Sequence, residues 1–140
     1  MSAPLLCGID AGTGSIRAML VEPDGGIKAV ASRPTPTTSD GEDRAHHDAE
    51  ALWRATLEAL ADAAGQIEGG ARRISGIVIA SMGEAGVLID GKGTALCPMI
   101  AWYDNRTRPA FDRLTERLDH AFFFERCGLS FVVVEADSGA

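Results

Sequence analysis

Apolar and polar positions change their period more than once along this chain. "PLLCGID", "SIRAMLVE" and "GIKAVASR" are short apolar runs that read as three strands. Pro23-Asp24-Gly25-Gly26 between the last two is hairpin-turn chemistry. Residues Pro34–Asp43, rich in Pro, Thr, Ser and Asp, predict a surface loop. From Asp48 the spacing lengthens: Trp53, Leu57, Leu60, Ala64 and Ile67 recur at alternating steps of four and three. That stripe predicts an amphipathic helix with these residues in the core, Asp48 as its N-cap and Gly69-Gly70 as its stop. "RISGIVIAS" is almost continuously apolar and predicts a central parallel strand covered on both faces. "GVLID" and "PMIAWYD" frame the turn Asp90-Gly91-Lys92-Gly93. Phe111, Leu114 and Leu118 mark one more helix, with Pro109 tolerable in its first turn. Three strands, a helix, a parallel strand and a helix make an α/β, ribonuclease-H-like core: antiparallel hairpin strands, then a right-handed crossover into a parallel strand.

Composition narrows this picture. The 140 residues suit one compact domain, and 46% hydrophobic with 24% charged is ordinary globular usage. A net charge of −7 argues against gripping nucleic acid, which needs clustered Lys and Arg. The longest apolar runs fall short of a bilayer span, and no basic region precedes "LLC", so neither membrane anchor nor signal peptide is expected. Cys7, Cys97 and Cys127, an odd number without CxxC spacing, read as reduced core thiols of a cytoplasmic protein.

Candidate chemistry begins where the first strand ends. "GIDAGTGSIR" closes an apolar run on a carboxylate, Asp10, followed by glycines, hydroxyls and an arginine. A Walker A loop is absent from the sequence, and the Rossmann pattern fails because Arg17 stands where its last glycine belongs. The Pro23–Gly26 turn also arrives too soon for a helix, so the loop turns between antiparallel strands. Gly12 and Gly14 allow close backbone approach to a ligand, Thr13 and Ser15 supply hydroxyls, and Arg17 supplies a fixed charge. Asp10 beside a phosphate makes sense if Mg²⁺ or its waters stand between them. The same residues also fit a plain hairpin whose Asp ties down its own turn. The pair His46-His47 with Asp48 lacks a further ligand at metal spacing and is not taken as a zinc site.

Four stretches, in order, carry a resemblance. "GIDAGTGSIRAMLVEPDG", "HHDAEALW", "ISGIVIASMGEAGVLID" and "PMIAWYDNRT" together resemble the FGGY carbohydrate kinases of the actin–hexokinase superfamily, over Leu5 to about Leu118. The resemblance implies ATP- and Mg²⁺-dependent phosphoryl transfer to a hydroxyl of a sugar or polyol. It implies that Asp10 holds Mg²⁺ through water while Gly12, Thr13, Gly14, Ser15 and Arg17 line the phosphate side. Glu84 falls on the family's hydroxyl-binding acidic position. Gly83 stands where glycerol kinases commonly carry Arg, which favours a sugar larger than glycerol. Trp102 and Asp104 fit a further substrate wall, although Trp102 also fits plain core filling and Asp104 also fits pairing with Arg106 or Arg108. Phe122 falls near a substrate-facing Tyr of some relatives.

The resemblance also implies parts that this sequence does not match. The family's catalytic Asp and adenosine-binding glycines belong to later segments, so residues 1–140 resemble only the opening portion of the first domain, inactive alone. "SFVVVEADSGA" departs from the pattern, which makes 130–140 an atypical tail and the whole a fragment by expectation. Apolar surface left uncovered would favour a homo-oligomer. The alternative is a non-catalytic sugar- or nucleotide-binding module, or an inactive remnant, on the same scaffold.

Overall fold

A computed structural model describes residues 3–41, 44–83 and 85–128. Strands β1 (Leu5–Ala11), β2 (Ser15–Val21), β3 (Ile27–Pro34) and β6 (Ile74–Ser81) form one sheet in the order β3-β2-β1-β6. β1 pairs antiparallel with β2 and parallel with β6, and β2 pairs antiparallel with β3. The turn between β2 and β3 closes with the Gly25 and Glu22 N–H groups donating to Glu22 and Gly26 carbonyls, and Gly25 takes φ +91°. This is the hairpin-started sheet and parallel crossover that the sequence predicts.

Alternation decides the core. Leu5, Cys7, Ile9 and Ala11 of β1 and Ile16, Ala18 and Leu20 of β2 are buried on one face. Helix α1 (Ala49–Gly65) covers that face over β2 and β3. Asp48 caps it, accepting from Ala51 N–H at 2.7 Å. The buried stripe is Ala55, Thr56, Ala59, Ala63 and Ala64, with Leu52, Leu60 and Ile67 flanking it. Of the expected stripe, Ala64 is buried and Leu60 and Ile67 pack against the core, whereas Trp53 and Leu57 point outward, 56% and 44% exposed. Alanines at steps of four bring the helix close to the sheet, and the larger residues lie outside that contact. The helix also stops earlier than Gly69-Gly70, at Gly65. Gly69, at φ +65°, instead opens the single turn α2 (Gly70–Arg73) that leads into β6.

β6 corrects a second expectation. It lies at the sheet edge among the described residues, and Ile77, Val78 and Ile79 are 53%, 70% and 55% exposed. α1 packs chiefly on β2 and β3. Its unbroken apolar character is that of a strand with uncovered faces. Of the three cysteines only Cys7 is buried, and burial raises its thiol pKa; Cys97 and Cys127 are exposed, against expectation.

A second, smaller sheet joins β4 (Thr38–Ser39), β5 (Ala45–His47) and β7 (Met99–Ile100) in that order. Between β6 and β7, "GVLID" provides only an isolated bridge, Ile89 to Ala95. Asp90 ties that turn by accepting from Lys92 and Thr94 N–H, which lowers its pKa. After β7 come a 3₁₀ turn at Asn105–Thr107, helix α3 (Arg108–Thr115) with Pro109 in its first turn, and helix α4 (His120–Cys127). The atypical tail lies outside the described residues.

Candidate functional site

The hairpin loop sits at the carboxyl end of β1, where open α/β sheets bind ligands. Asp10 and Arg17 are cross-strand partners, so their side chains share one face, and both are exposed. They rim an open cavity of about 340 Å³ whose floor is apolar sheet: Gly8, Met19, Val30 and Val78. The loop itself closes with Gly12 N–H donating to the Ser15 carbonyl at 3.0 Å. Neither Gly12 nor Gly14 needs a positive φ. A Cβ on Gly14 would meet nothing within 4 Å, whereas one on Gly12 would lie 3.3 Å from the Ser15 carbonyl oxygen and 3.7 and 4.0 Å from the two Asp10 carboxylate oxygens. The backbone turn at Gly14 does not demand glycine, whereas Gly12 avoids a tight Cβ contact with the Ser15 carbonyl across the turn.

Trp102 reaches this loop from the far end of the sequence. Its indole N–H donates to the Thr13 hydroxyl at 3.2 Å, and its ring meets Tyr103 edge-on at 5.4 Å. Trp102 is half-exposed and therefore not core filling. On its other side it lines a cavity of about 410 Å³ with Gly86, Val87, Leu88, Cys97, Pro98, Ile100 and Thr107. One aromatic side chain thus stands between the loop and a second cleft.

Asp104 fixes that aromatic. Its side chain is fully buried and paired with Arg106 Nη2 at 2.8 Å. Oδ2 also accepts from Ala45 N–H at 2.7 Å, and Oδ1 accepts from Arg106 N–H at 2.8 Å and Arg106 Nε at 2.9 Å. Burial pushes its pKa upward, but the Arg106 side-chain and backbone bonds, Ala45 N–H and the guanidinium charge outweigh it and hold the carboxyl below its ordinary value. The same pair raises Arg106. Of the two sequence readings of Asp104, pairing with Arg106 is the one whose partners are visible. Ala45 completes the tie, its carbonyl accepting from Ala101 N–H at 3.0 Å.

Gly83 is exposed with open space around it, so a side chain would fit there. Glu84 lies outside the described residues. Phe122 stacks under the Arg126 guanidinium, 4.8 Å from its ring centre. No group of three or more potential metal ligands occurs among the described residues, the histidine pair included. Sequence reasoning passed over Thr35, whose hydroxyl donates to the Gly12 carbonyl at 2.7 Å, and weighed His47 behind it only as a metal ligand. The only signal for Thr35 was its place between Pro34 and Pro36.

Against known proteins, the profile of the FGGY family of carbohydrate kinases, N-terminal domain, matches residues 5–136. The chain belongs to the FGGY carbohydrate kinases. It is 36% identical over 126 residues to a glycerol kinase of Methylobacterium nodulans, covering 89% of this chain and 25% of that protein. It is 32% identical over 126 residues to a xylulose kinase of Streptomyces rubiginosus, covering 89% and 25%. The crystal structure of xylulose kinase from Rhodospirillum rubrum superposes with a TM-score of 0.78 at 32% identity, covering 86% of this chain and 25% of that one. A Plasmodium falciparum glycerol kinase with ADP shares the fold alone, at a TM-score of 0.75 and 14% identity. The FGGY stretch seen here therefore spans about a quarter of the length of the relatives it matches. The ribonuclease-H-like reading of the fold agrees with these sugar-kinase structures.

Proposed function

We propose that this FGGY stretch supplies the phosphate hairpin and one sugar-facing wall of an ATP-dependent carbohydrate kinase acting on a sugar or polyol hydroxyl. The observation that carries the reading is the Trp102–Thr13 bond, because it joins the two half-sites that such a transfer must hold together. Gly12, Thr13, Gly14, Ser15 and Arg17 would line the phosphates, with Arg17 opposing their charge. Asp10 fits a water-mediated Mg²⁺: its carboxylate is exposed, and Gly12 places no side chain beside it. When bound, Mg²⁺ neutralises charge on the transferring phosphoryl group. Gly83, Glu84 and Trp102 form the sugar side, and Asp104 serves it by fixing the Trp102 segment.

We place the base that takes the hydroxyl proton outside residues 1–140, so this stretch alone is proposed to be inactive. No described helix is long and apolar enough to cross a membrane. A cytoplasmic location and self-association through the uncovered sheet belong to the same proposal.

A sugar-panel kinase assay on the protein as the cell makes it tests the reading. Asp10→Ala should lower kcat by about 100-fold or more, as loss of one transition-state charge group does. Undiminished turnover in Asp10→Ala would refute the metal role.

A further inference from the structure

A strap crosses the outside of the hairpin loop. It consists of Pro34, the last residue of β3, and Thr35 and Pro36 directly after it. Two prolines fix their own φ, and Pro36 also restricts Thr35 to extended backbone, so the strap is stiff before anything binds it. Thr35 is buried. Its N–H donates to the Gly14 carbonyl at 3.2 Å, and its hydroxyl donates to the Gly12 carbonyl at 2.7 Å. Behind the strap stands His47, fully buried, with Nδ1 3.0 Å from the Pro36 carbonyl and 3.2 Å from the Thr37 hydroxyl. A carbonyl only accepts, so Nδ1 carries the proton and donates to it. Nε2 is buried with no partner among the described residues.

The consequence follows from peptide geometry. In a trans peptide the C=O and the next N–H point in opposite directions across one plane. Holding the Gly12 carbonyl against the strap turns the Thr13 N–H away from it, and holding the Gly14 carbonyl does the same for Ser15. We propose that Thr35 is a positioning residue for the phosphate loop: it pins the Gly12 and Gly14 carbonyls outward and so aims the Thr13 and Ser15 amides at the phosphates of Mg·ATP. This rests on the proposed phosphate reading of the loop.

The test compares Thr35→Val, which keeps the shape and loses the hydroxyl, with Thr35→Ser, which keeps the hydroxyl. Amide hydrogen exchange at Thr13 and Ser15 is read first, without nucleotide. Mg·ATP binding and the two KM values of the kinase reaction follow. Thr35→Val should speed exchange at Thr13, whose carbonyl neighbour loses the hydroxyl, and leave Ser15 nearer the parent because the Thr35 N–H is kept. It should raise the Mg·ATP constant about tenfold, the loss expected of one hydrogen bond, with the sugar KM unmoved. Thr35→Ser should stay within about twofold of the parent. If the valine variant fails to fold, Thr35→Ala gives the same comparison. Unchanged exchange, equal behaviour of the hydroxyl-bearing and hydroxyl-free variants, or a parallel loss in both KM values would each overturn the proposal. If Asp10→Ala left Mg·ATP binding intact, the phosphate reading would fall and this proposal with it. The exchange data, taken without nucleotide, tell that outcome apart from a failure of the strap.

Discussion

Replacing Asp104 by Asn changes one oxygen into an NH₂ group and little else. In the native site each oxygen receives at least two donors: Ala45 N–H and Arg106 Nη2 on Oδ2, Arg106 N–H on Oδ1, and Arg106 Nε shared between the two. Whichever way the amide is turned, its NH₂ faces two donors and accepts from neither. A buried group left without a partner costs about 1–3 kcal/mol, and a hydrogen bond to a charged group is worth about 1.5–3 kcal/mol. Arg106 is partly exposed and regains water, so the low end of both ranges applies, and Asp104→Asn should cost about 2.5 kcal/mol in total. For a domain of this size that lowers Tm by about 10 °C. Urea unfolding followed by circular dichroism reads the loss. The pH dependence gives a second, independent reading. The folded carboxyl titrates below its unfolded value, so its contribution is fully present above the ordinary aspartate pKa, about 4, and fades as pH falls through the folded value. The gap between parent and Asp104→Asn should therefore begin to narrow as pH falls below about 5, where the unfolded carboxyl starts to protonate. A difference under about 0.5 kcal/mol at pH 7, or a gap that stays constant down to pH 3, would refute the role given to this carboxylate.

Two further substitutions test the packing. Ala59→Leu, on the buried face of α1, should cost about 1–3 kcal/mol by overpacking, whereas Trp53→Gln on the outer face should stay within about 1 kcal/mol. The reverse ranking in thermal unfolding would restore the Trp53 stripe as the core. Gly70→Ala should cost about 1–3 kcal/mol, because its Cβ would strike the Ala64 carbonyl oxygen and lie 3.1 Å from Ile67 Cβ. A neutral result there would show that the α1–α2 junction can open.

What the sequence made legible was local chemistry. Hairpin residues 23–26, the Asp48 cap and the strand-loop-strand around Asp10 follow from turn and capping preferences that act within a few residues. Part of the α1 stripe held, at Leu60, Ala64 and Ile67, but Trp53 and Leu57 were misplaced because side-chain size was taken as the mark of the buried face. The sheet instead accepts alanines at 55, 59 and 63, where close approach replaces bulk. The apolar run of β6 carried no information about what covers it, since burial is a property of neighbours and not of the strand. Trp102 with Thr13, and Thr35 with Gly12, are pairs 89 and 23 residues apart, beyond any spacing rule. The family resemblance placed Trp102 on the sugar side, but the bond to Thr13 emerged only in three dimensions.

The small sheet explains why buried polar groups gather beside this loop. Its strands have two, three and two residues and bury too little apolar surface to hold a fixed position by themselves. Directional bonds do that work: His47 to the strap, Asp104 to Ala45 and Arg106, and Ala45 to Ala101. Apolar contacts tolerate sliding, while hydrogen bonds weaken steeply with angle and distance, so a bracket built from them fixes direction as well as proximity. The bracket reaches the hairpin at two places, Thr35 from outside and Trp102 from the cleft side. Phosphoryl transfer gains chiefly from how its groups are placed, so stiffness at these two points is what the proposed reaction requires. On this account the buried carboxylate and imidazole serve the geometry of the loop and need not touch a ligand to matter.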